Sequence, residues 1–163
     1  MNEHGIALPP ELEETDGFTL VGKRCRMSLT DDQTPRLWGS LMSEQTSWPD
    51  RSDDILYHVD VYPDLEYFES FNPVRTFDRW ACLKPSSSSN QAYDLLEIPA
   101  GKYAKFRYKG HPKKAGLAYG YLFNEWLPNS GYELADRPHL ALMGSKYIND
   151  SDESEEELWI PLR

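Results

Sequence analysis

The sequence has little that would point to a membrane protein or a disulfide-stabilised one. No apolar run approaches the roughly 20 residues that a membrane-spanning helix needs. Residues 1–16 lack the basic start and apolar centre of a secretory signal. The two cysteines, Cys25 and Cys82, lie in apolar, strand-like contexts, which favours two small buried side chains in a reducing compartment. We therefore expect a soluble, cytoplasmic protein.

Sequence motifs of metal binding and of catalysis are also missing. The four histidines are scattered and none has zinc-site spacing with a cysteine. There is no glycine-rich phosphate loop, no nucleophile elbow and no recognisable Ser/His/Asp or Cys/His arrangement. The acidic run 150–157 lacks the central glycine of an EF-hand loop, so a solvated acidic turn is the better interpretation. We expect no metal, no cofactor and no catalytic residue.

Positive charge is scarce. The 163 residues contain 17 Lys and Arg against 27 Asp and Glu, which gives a net charge of -10. Such a surface repels phosphate, so direct binding to nucleic acid is not expected. The field instead attracts cations, either a basic protein partner or a cationic small molecule, unless the charge serves solubility alone.

Hydrophobic periodicity predicts strands and two helices in one domain. The first helix opens at Thr34-Pro35, and the second spans about 115–126 and ends at Pro128 with the Asn-Ser-Gly turn. Residues 1–16 are interpreted as a loose acidic arm, and Ser86–Asn90 as a turn or flexible link. Strand-like runs begin at Phe18 and cover residues 55–62, 76–83, 93–98, 102–109, 140–143 and 158–160.

The order strand–helix–strand–strand occurs twice, over about 18–84 and 100–162. The predicted fold is therefore α+β, a single domain over 17–163 in which duplicated βαββ units form an antiparallel sheet. Both helices are expected to pack on one face of that sheet. The groove between them is a candidate ligand site.

Four segments together resemble the GyrI-like family of small-molecule-binding domains, which also form the effector-binding part of AraC-type and related drug-responsive regulators. The segments are 99–104, 125–128, 137–139 and 155–161. The resemblance implies a duplicated βαββ fold with a groove along a pseudo-twofold axis. Many relatives carry a glutamate facing the groove in the strand after the Arg-Pro-His segment. The matching residue here is Ala141, which can neither pair with a cation nor act as an acid or base.

The chain is rich in aromatic residues, with 5 Trp, 10 Tyr and 6 Phe. Aromatic walls suit flat ligands through stacking and cations through attraction to ring faces. For each residue a place in the core or a solvated position is the alternative, and Asp60 is a further carboxylate that could replace the missing glutamate. The predicted ligand-binding residues are Trp38, Tyr57, His58, Trp80, Phe106, Tyr108, Tyr119, Glu125, Trp126, His139 and Ala141.

These observations favour a stand-alone protein that binds amphipathic or planar aromatic molecules and acts by sequestration or sensing. No helix-turn-helix segment fits before Phe18, so no DNA-binding domain is expected. One alternative is a protein-binding inhibitor of the DNA gyrase type, suggested by the acidic residues 151–157. Another is a hydrolase of cyclopropane-bearing toxins, which Ala141 argues against because acid–base catalysis needs a positioned titratable group.

Overall fold

An eight-stranded antiparallel sheet forms the centre of the molecule in a computed structural model that describes residues 1–87 and 92–163. The order across the sheet is β1-β6-β8-β7-β3-β4-β2-β5. Part of the predicted link Ser86–Asn90 lies outside the described residues. The strands are β1 (Glu11–Thr15), β2 (Phe18–Met27), β3 (Leu56–Val61), β4 (Phe77–Leu83), β5 (Asp94–Ile98), β6 (Gly101–Lys109), β7 (His139–Met143) and β8 (Glu155–Leu162).

Two helical stretches accompany the sheet. Helix α1 (Thr34–Met42) has proline in its first turn and buries Leu37 and Leu41. Helix α2 (Ala115–Tyr121) leads directly into a π-helical segment (Leu122–Trp126) and then α3 (Leu127–Ser130). We call residues 115–130 the second helix. Gly131 ends it in the left-handed conformation. Short 3-10 helices cover Gln45–Ser47, Leu65–Phe68 and Pro112–Lys114.

Both helices pack on one face of the sheet, which we call the helix face. Helix α1 covers Val21 and Ala81, whereas the second helix covers Phe106 and Leu158. Because successive strand residues point to opposite faces, the intervening residues form a separate cluster on the other face. The predicted α+β architecture with two helices on one face is confirmed.

The sheet is built from two halves. The first half comprises β2, α1, β3 and β4, and the second comprises β6, the second helix, β7 and β8. They meet at the antiparallel pair β3–β7. The outer strands are exchanged, because β1 precedes the first half but pairs with β6, and β5 precedes the second half but pairs with β2.

The N-terminal residues are not a loose arm, which corrects the sequence prediction. Residues 11–15 form the edge strand β1, and Ile6 is fully buried and bridges to Tyr108. The acidic side chains of β1 stay at the solvent-exposed edge, where Glu13 accepts a 2.5 Å hydrogen bond from Lys105. An acidic composition is compatible with an edge strand, since charge there also discourages pairing with other chains.

Two of the segments that carry the family resemblance meet around Arg137. The Nη2 atom of Arg137 donates 2.7 Å hydrogen bonds to the carbonyl oxygens of Lys102 and Leu162. Its guanidinium lies 4.8 Å from the centre of the Tyr103 ring, and the Tyr103 hydroxyl donates to the Pro138 carbonyl oxygen at 2.8 Å. A Cβ at Gly101 would lie 2.3 Å from the Arg137 Cζ atom. These residues therefore join β6, β8 and the start of β7.

Candidate functional site

Four side chains surround the pseudo-twofold axis on the helix face. In the β3–β7 pair, His58 lies opposite Ala141 and Asp60 lies opposite His139. Thr34 and Ala115 are the first residues of the two helices. The number of residues between them along the chain is the same as the number between His58 and His139, and between Asp60 and Ala141. The two histidines are thus equivalent in the two halves, and Asp60 is the equivalent of Ala141. We call these four residues the groove floor.

The first half places an ion pair on this floor. Asp60 lies opposite Arg79 of β4 and accepts two hydrogen bonds from its guanidinium, at 2.8 and 3.0 Å. Arg79 also donates from Nη1 to the Thr34 hydroxyl at the start of α1, at 2.8 Å. Burial alone would raise the Asp60 pKa, but the attraction and hydrogen bonds of Arg79, together with smaller contributions from the two histidines, outweigh it and the net shift is downward. The pair is therefore ionised and neutral as a unit.

The two histidines of the groove floor are uncharged at neutral pH. Burial lowers the pKa of both His58 and His139 to about 4, and the attraction of Asp60 offsets this only in part. The Nδ1 atom of His58 accepts a hydrogen bond from the Trp38 Nε1 atom at 3.3 Å. Its proton is accordingly assigned to Nε2, which lies 3.6 Å from an Asp60 carboxylate oxygen.

Aromatic rings cover His139, the histidine of the groove floor that belongs to the second half. The Phe68 ring is nearly parallel to the His139 ring at 5.3 Å, and the Tyr62 and Phe123 rings lie 4.9 and 5.8 Å from it. Phe68 belongs to a 3-10 helix and Phe123 to the π-helical segment, and their rings are 5.2 Å apart. A cavity of about 220 Å³ adjoins them, lined by Leu65, Phe68, Glu69, Phe123, Asn124, Leu127 and Leu134.

Glu156 is a carboxylate on the helix face that the sequence analysis missed. It belongs to β8, opposite Tyr108, on the same side as Leu158 and Ile160 of the second-helix cluster. Burial raises its pKa to about 7. The interpretation of 150–157 as a solvated turn is therefore wrong for its last three residues, which lie in β8.

Five of the predicted ligand-binding residues come together at the groove. His58, His139 and Ala141 belong to its floor. Trp38 reaches it from α1 through the hydrogen bond to His58. Tyr119, on the second helix, lies at the site equivalent to Trp38, and its ring stacks with Phe123 at 6.3 Å.

The other predicted residues lie elsewhere. Tyr108 and Phe106 pack between β6 and the second helix, and the Phe106 and Trp126 rings are 4.8 Å apart. Tyr57 and Trp80 belong to the cluster on the face opposite the helices, so their side chains do not border the groove.

Glu125 is also remote from the groove floor. Its side chain is 63% exposed and lies 3.8 Å from the His4 ring nitrogen. Within residues 1–87 and 92–163, no group of three or more His, Cys, Asp or Glu side chains is arranged to hold a metal ion. No helix in the same part of the chain is long and apolar enough to cross a membrane.

Comparison with known proteins places this geometry among related folds. A family model described as a GyrI-like small molecule binding domain matches residues 8–163, whereas no curated protein sequence matches the chain. The structure of SAV2435 bound to tetraphenylphosphonium is similar, with 16% identity, a TM-score of 0.71 and coverage of 96% of this chain and 94% of that one.

Two further solved structures are similar at the level of the fold. For the EcmrR C-terminal domain the identity is 17% and the TM-score 0.65, with coverage of 95% of this chain and 97% of that one. For an integron cassette protein from Vibrio cholerae the identity is 17% and the TM-score 0.61, with coverage of 98% and 96%.

Proposed function

We propose that this chain binds amphipathic or planar aromatic molecules, cations among them, in the groove between α1 and the second helix. The chain belongs to the family of GyrI-like small-molecule-binding domains. The chain would act by sequestering or sensing such compounds. The observation that carries this proposal is the group of three rings over His139, from Tyr62, Phe68 and Phe123. Rings presented in this way can stack on a flat ligand.

The chemistry of a related structure supports the same class of ligand. Tetraphenylphosphonium, bound to SAV2435, is an apolar cation surrounded by aromatic rings. Ring faces attract cations as well as stacking on other rings. The uncharged His58 and His139 and the neutral Asp60–Arg79 pair leave the groove floor without a net positive charge that would repel such a compound.

The size of the cavity indicates how a ligand would enter. At about 220 Å³ it is smaller than the roughly 300–1,000 Å³ of typical ligand pockets. A ligand of several rings therefore has to displace the rings of Phe68 and Phe123. Phe68 ends a short 3-10 helix that is capped by Asp64, whose carboxylate accepts a hydrogen bond from the Tyr67 backbone N–H at 3.1 Å. This turn is the expected moving part.

A thermal-shift screen tests the proposal. The panel contains planar aromatic compounds of matched size that are cationic, neutral or anionic, all at one concentration. A ligand at about 100 times its dissociation constant stabilises the folded state by about 2.7 kcal/mol, which gives a clear shift. We expect cationic and neutral aromatic compounds to stabilise the protein. If no compound does so, the proposal is wrong and a protein partner becomes the alternative.

A matched pair of variants locates the binding site. Phe68→Ala removes a ring from the group over His139 and should weaken binding of any stabilising compound. Phe71→Ala removes a ring three residues away that is 83% exposed, and should leave binding unchanged. Equal effects of the two substitutions would place the ligand elsewhere.

A further inference from the structure

We infer that Tyr119 and His139 together hydrogen-bond one hydroxyl group of the ligand, so that the groove selects phenols and other hydroxylated aromatic compounds over compounds of the same shape without a hydroxyl. This inference rests on the proposed function, since it assigns a ligand class to the same groove. The observations that carry it are the contacts made at equivalent positions of the two halves.

In the first half, the equivalent pair is joined within the protein. The Trp38 Nε1 atom donates to His58 Nδ1 at 3.3 Å, and the two rings are nearly parallel with their centres 6.2 Å apart. The other ring nitrogen of His58 lies 3.6 Å from an Asp60 carboxylate oxygen. Both nitrogens of His58 therefore have a polar neighbour in the folded chain.

The second half leaves the corresponding groups without partners. His139 is only 5% exposed, yet neither of its ring nitrogens forms a hydrogen bond or an ion pair within residues 1–87 and 92–163. The Tyr119 hydroxyl, which belongs to the residue equivalent to Trp38, is likewise unpartnered in the described part of the chain. A mostly buried polar group without a hydrogen bond is costly. A ligand that supplies the missing partner therefore gains affinity.

The ring of Phe123 keeps these two polar groups apart. It stacks on the Tyr119 ring at 6.3 Å and lies 5.8 Å from the His139 ring. The residue of α1 at the same spacing from Trp38 is Met42, which is 39% exposed, and Trp38 reaches His58 directly. A ligand of several rings has to displace Phe123, and its entry would bring its own polar group between Tyr119 and His139.

A hydroxyl is the polar group that suits this pair. Burial lowers the pKa of His139 to about 4, so its imidazole is uncharged at neutral pH, with one nitrogen that donates and one that accepts. Burial raises the pKa of Tyr119, so its hydroxyl keeps its proton. A ligand hydroxyl can donate to one of the two groups and accept from the other, whichever tautomer His139 adopts. A carbonyl oxygen can only accept, and an ammonium group can only donate.

The hydroxyls of the neighbouring side chains are already engaged. The Tyr62 hydroxyl donates to an Asp60 carboxylate oxygen at 3.4 Å, and the Thr34 hydroxyl accepts from Arg79 at 2.8 Å. The Tyr62 ring itself lies against His139 at 4.9 Å, where it can contact the aromatic part of a ligand. Recognition of the ligand hydroxyl therefore falls to Tyr119 and His139.

Two probes of the same shape test the inference: 2-naphthol, which carries a hydroxyl, and 2-methylnaphthalene, which does not. Equilibrium dialysis against the full chain gives both dissociation constants, and their ratio is the preference for the hydroxyl. Tyr119→Phe removes one hydroxyl, and His139→Leu removes the imidazole. Each should reduce the preference about fivefold, because each removes one hydrogen bond between uncharged groups. The different affinities of the two probes for water cancel when the preference is compared between variants.

The matched control is Tyr121→Phe. It removes a hydroxyl from the same helix two residues away, where the ring stacks on His4 at 4.6 Å instead of facing the groove. The preference for 2-naphthol should be the same in this variant as in the wild type. The melting temperature of each variant without ligand shows that it is folded, and Tyr119→Phe keeps the test decisive if His139→Leu is not.

The outcomes separate this inference from the proposed function. If both probes bind and the preference is the same in Tyr119→Phe as in the wild type, the inference is wrong and the proposed function stands. If neither probe binds the wild type, the inference is also wrong, and the thermal-shift panel decides separately whether the proposed function fails with it.

Discussion

The two halves of the molecule use equivalent positions for opposite purposes. Where the first half has Asp60 paired with Arg79, the second has Ala141 opposite Leu158. The polar pair also holds the start of α1, through the bond from Arg79 to Thr34. In the second half Leu158 instead packs against the second helix. At these equivalent positions, the duplicated unit therefore holds one helix by a directed hydrogen bond and the other by an apolar contact.

The equivalent histidines differ in the same way. His58 accepts a hydrogen bond from Trp38, whereas His139 is covered by the rings of Tyr62, Phe68 and Phe123. Ring contacts impose less directional constraint than a hydrogen bond between two buried partners. The second half is accordingly the one expected to rearrange around a ligand.

Removing the cation of the first half should have the largest effect on stability. Arg79→Met leaves the largely buried Asp60 carboxylate without its cationic partner, which should lower the free energy of unfolding by about 3–5 kcal/mol. Urea denaturation measures the loss. The double variant Asp60→Ala and Arg79→Leu replaces the ion pair by apolar side chains like those of the second half, and it should recover most of the lost free energy of unfolding.

The control for this prediction lies on the neighbouring strand. Arg26 of β2 forms a salt bridge with Asp78 of β4 at 3.0 Å, but its side chain is 74% exposed. Arg26→Met should therefore have a much smaller effect than Arg79→Met. Similar losses for the two substitutions would contradict the distinction between a buried structural pair and a surface one.

Acid should destabilise the protein through one histidine in each half. The pKa of His58 and of His139 is about 4 in the folded state and about 6.5 when unfolded. The unfolded state therefore takes up protons first, and stability is lost as pH falls from about 6.5 to about 4. The expected loss is about 2–3 kcal/mol for each histidine. Urea denaturation at several pH values should show it, and His58→Gln or His139→Gln should each remove part of the slope.

Glu156 should give the opposite slope, in the second half alone. Its folded-state pKa of about 7 lies above the unfolded value of about 4.3. The native state therefore keeps its proton longer, so this contribution to stability is fully present below about pH 4.3 and is lost as pH rises to about 7. Over this range it opposes the larger gain in stability that comes from the two histidines, and it makes that gain shallower. In Glu156→Gln the rise in stability between about pH 4.5 and about pH 6.5 should be steeper than in the wild type, and an unchanged slope would exclude Glu156 as a contributor.

Giving the second half a carboxylate should make the halves more alike. Ala141→Glu places a carboxylate opposite the apolar Leu158, and should lower stability by about 1–3 kcal/mol at neutral pH. The same variant should bind tetraphenylphosphonium more tightly than the wild type. Ala135→Glu is a control, since this alanine is also buried but lies outside the groove floor. It should lower stability without a gain in cation binding.

The smallest effect concerns the side chains above the two histidines. Trp38→Phe removes the donor to His58 and should cost about 1 kcal/mol. Tyr119→Phe, the equivalent change in the second half, should cost less, because the Tyr119 hydroxyl makes no hydrogen bond within residues 1–87 and 92–163. Thermal denaturation of the two variants tests this order, and a larger loss for Tyr119→Phe would reverse it.

Much of the fold could be predicted from the sequence because hydrophobic periodicity is local. The alternation in residues 102–109 predicted a strand with one buried face, and Ala104, Phe106 and Tyr108 are indeed buried on that face, although Tyr103 is also buried on the opposite one. The apolar stripe of the second helix was likewise sufficient to predict that element. These patterns are set by contacts with one neighbouring layer.

The candidate site was less predictable, because periodicity does not say which face of a strand a helix covers. Tyr57 and His58 are adjacent, so only one of them can face the groove, and the choice depends on the packing of α1 across β3. Composition was misleading at Glu156, where three consecutive glutamates suggested a solvated turn. In a strand such a run necessarily sends one residue to the opposite face from its neighbours.

The exchange of β1 and β5 makes the molecule a natural pair of complementary fragments. If the chain were divided between β4 and β5, the first piece would carry β1, which pairs with β6 of the second piece. The second piece would carry β5, which pairs with β2 of the first. Each piece would therefore have a strand edge with unpaired backbone groups, and the exchanged strand of the other piece would pair with that edge. The duplication thus resembles a dimer with swapped arms whose subunits have been fused, and reassembly of the two fragments would report on any protein pair attached to them.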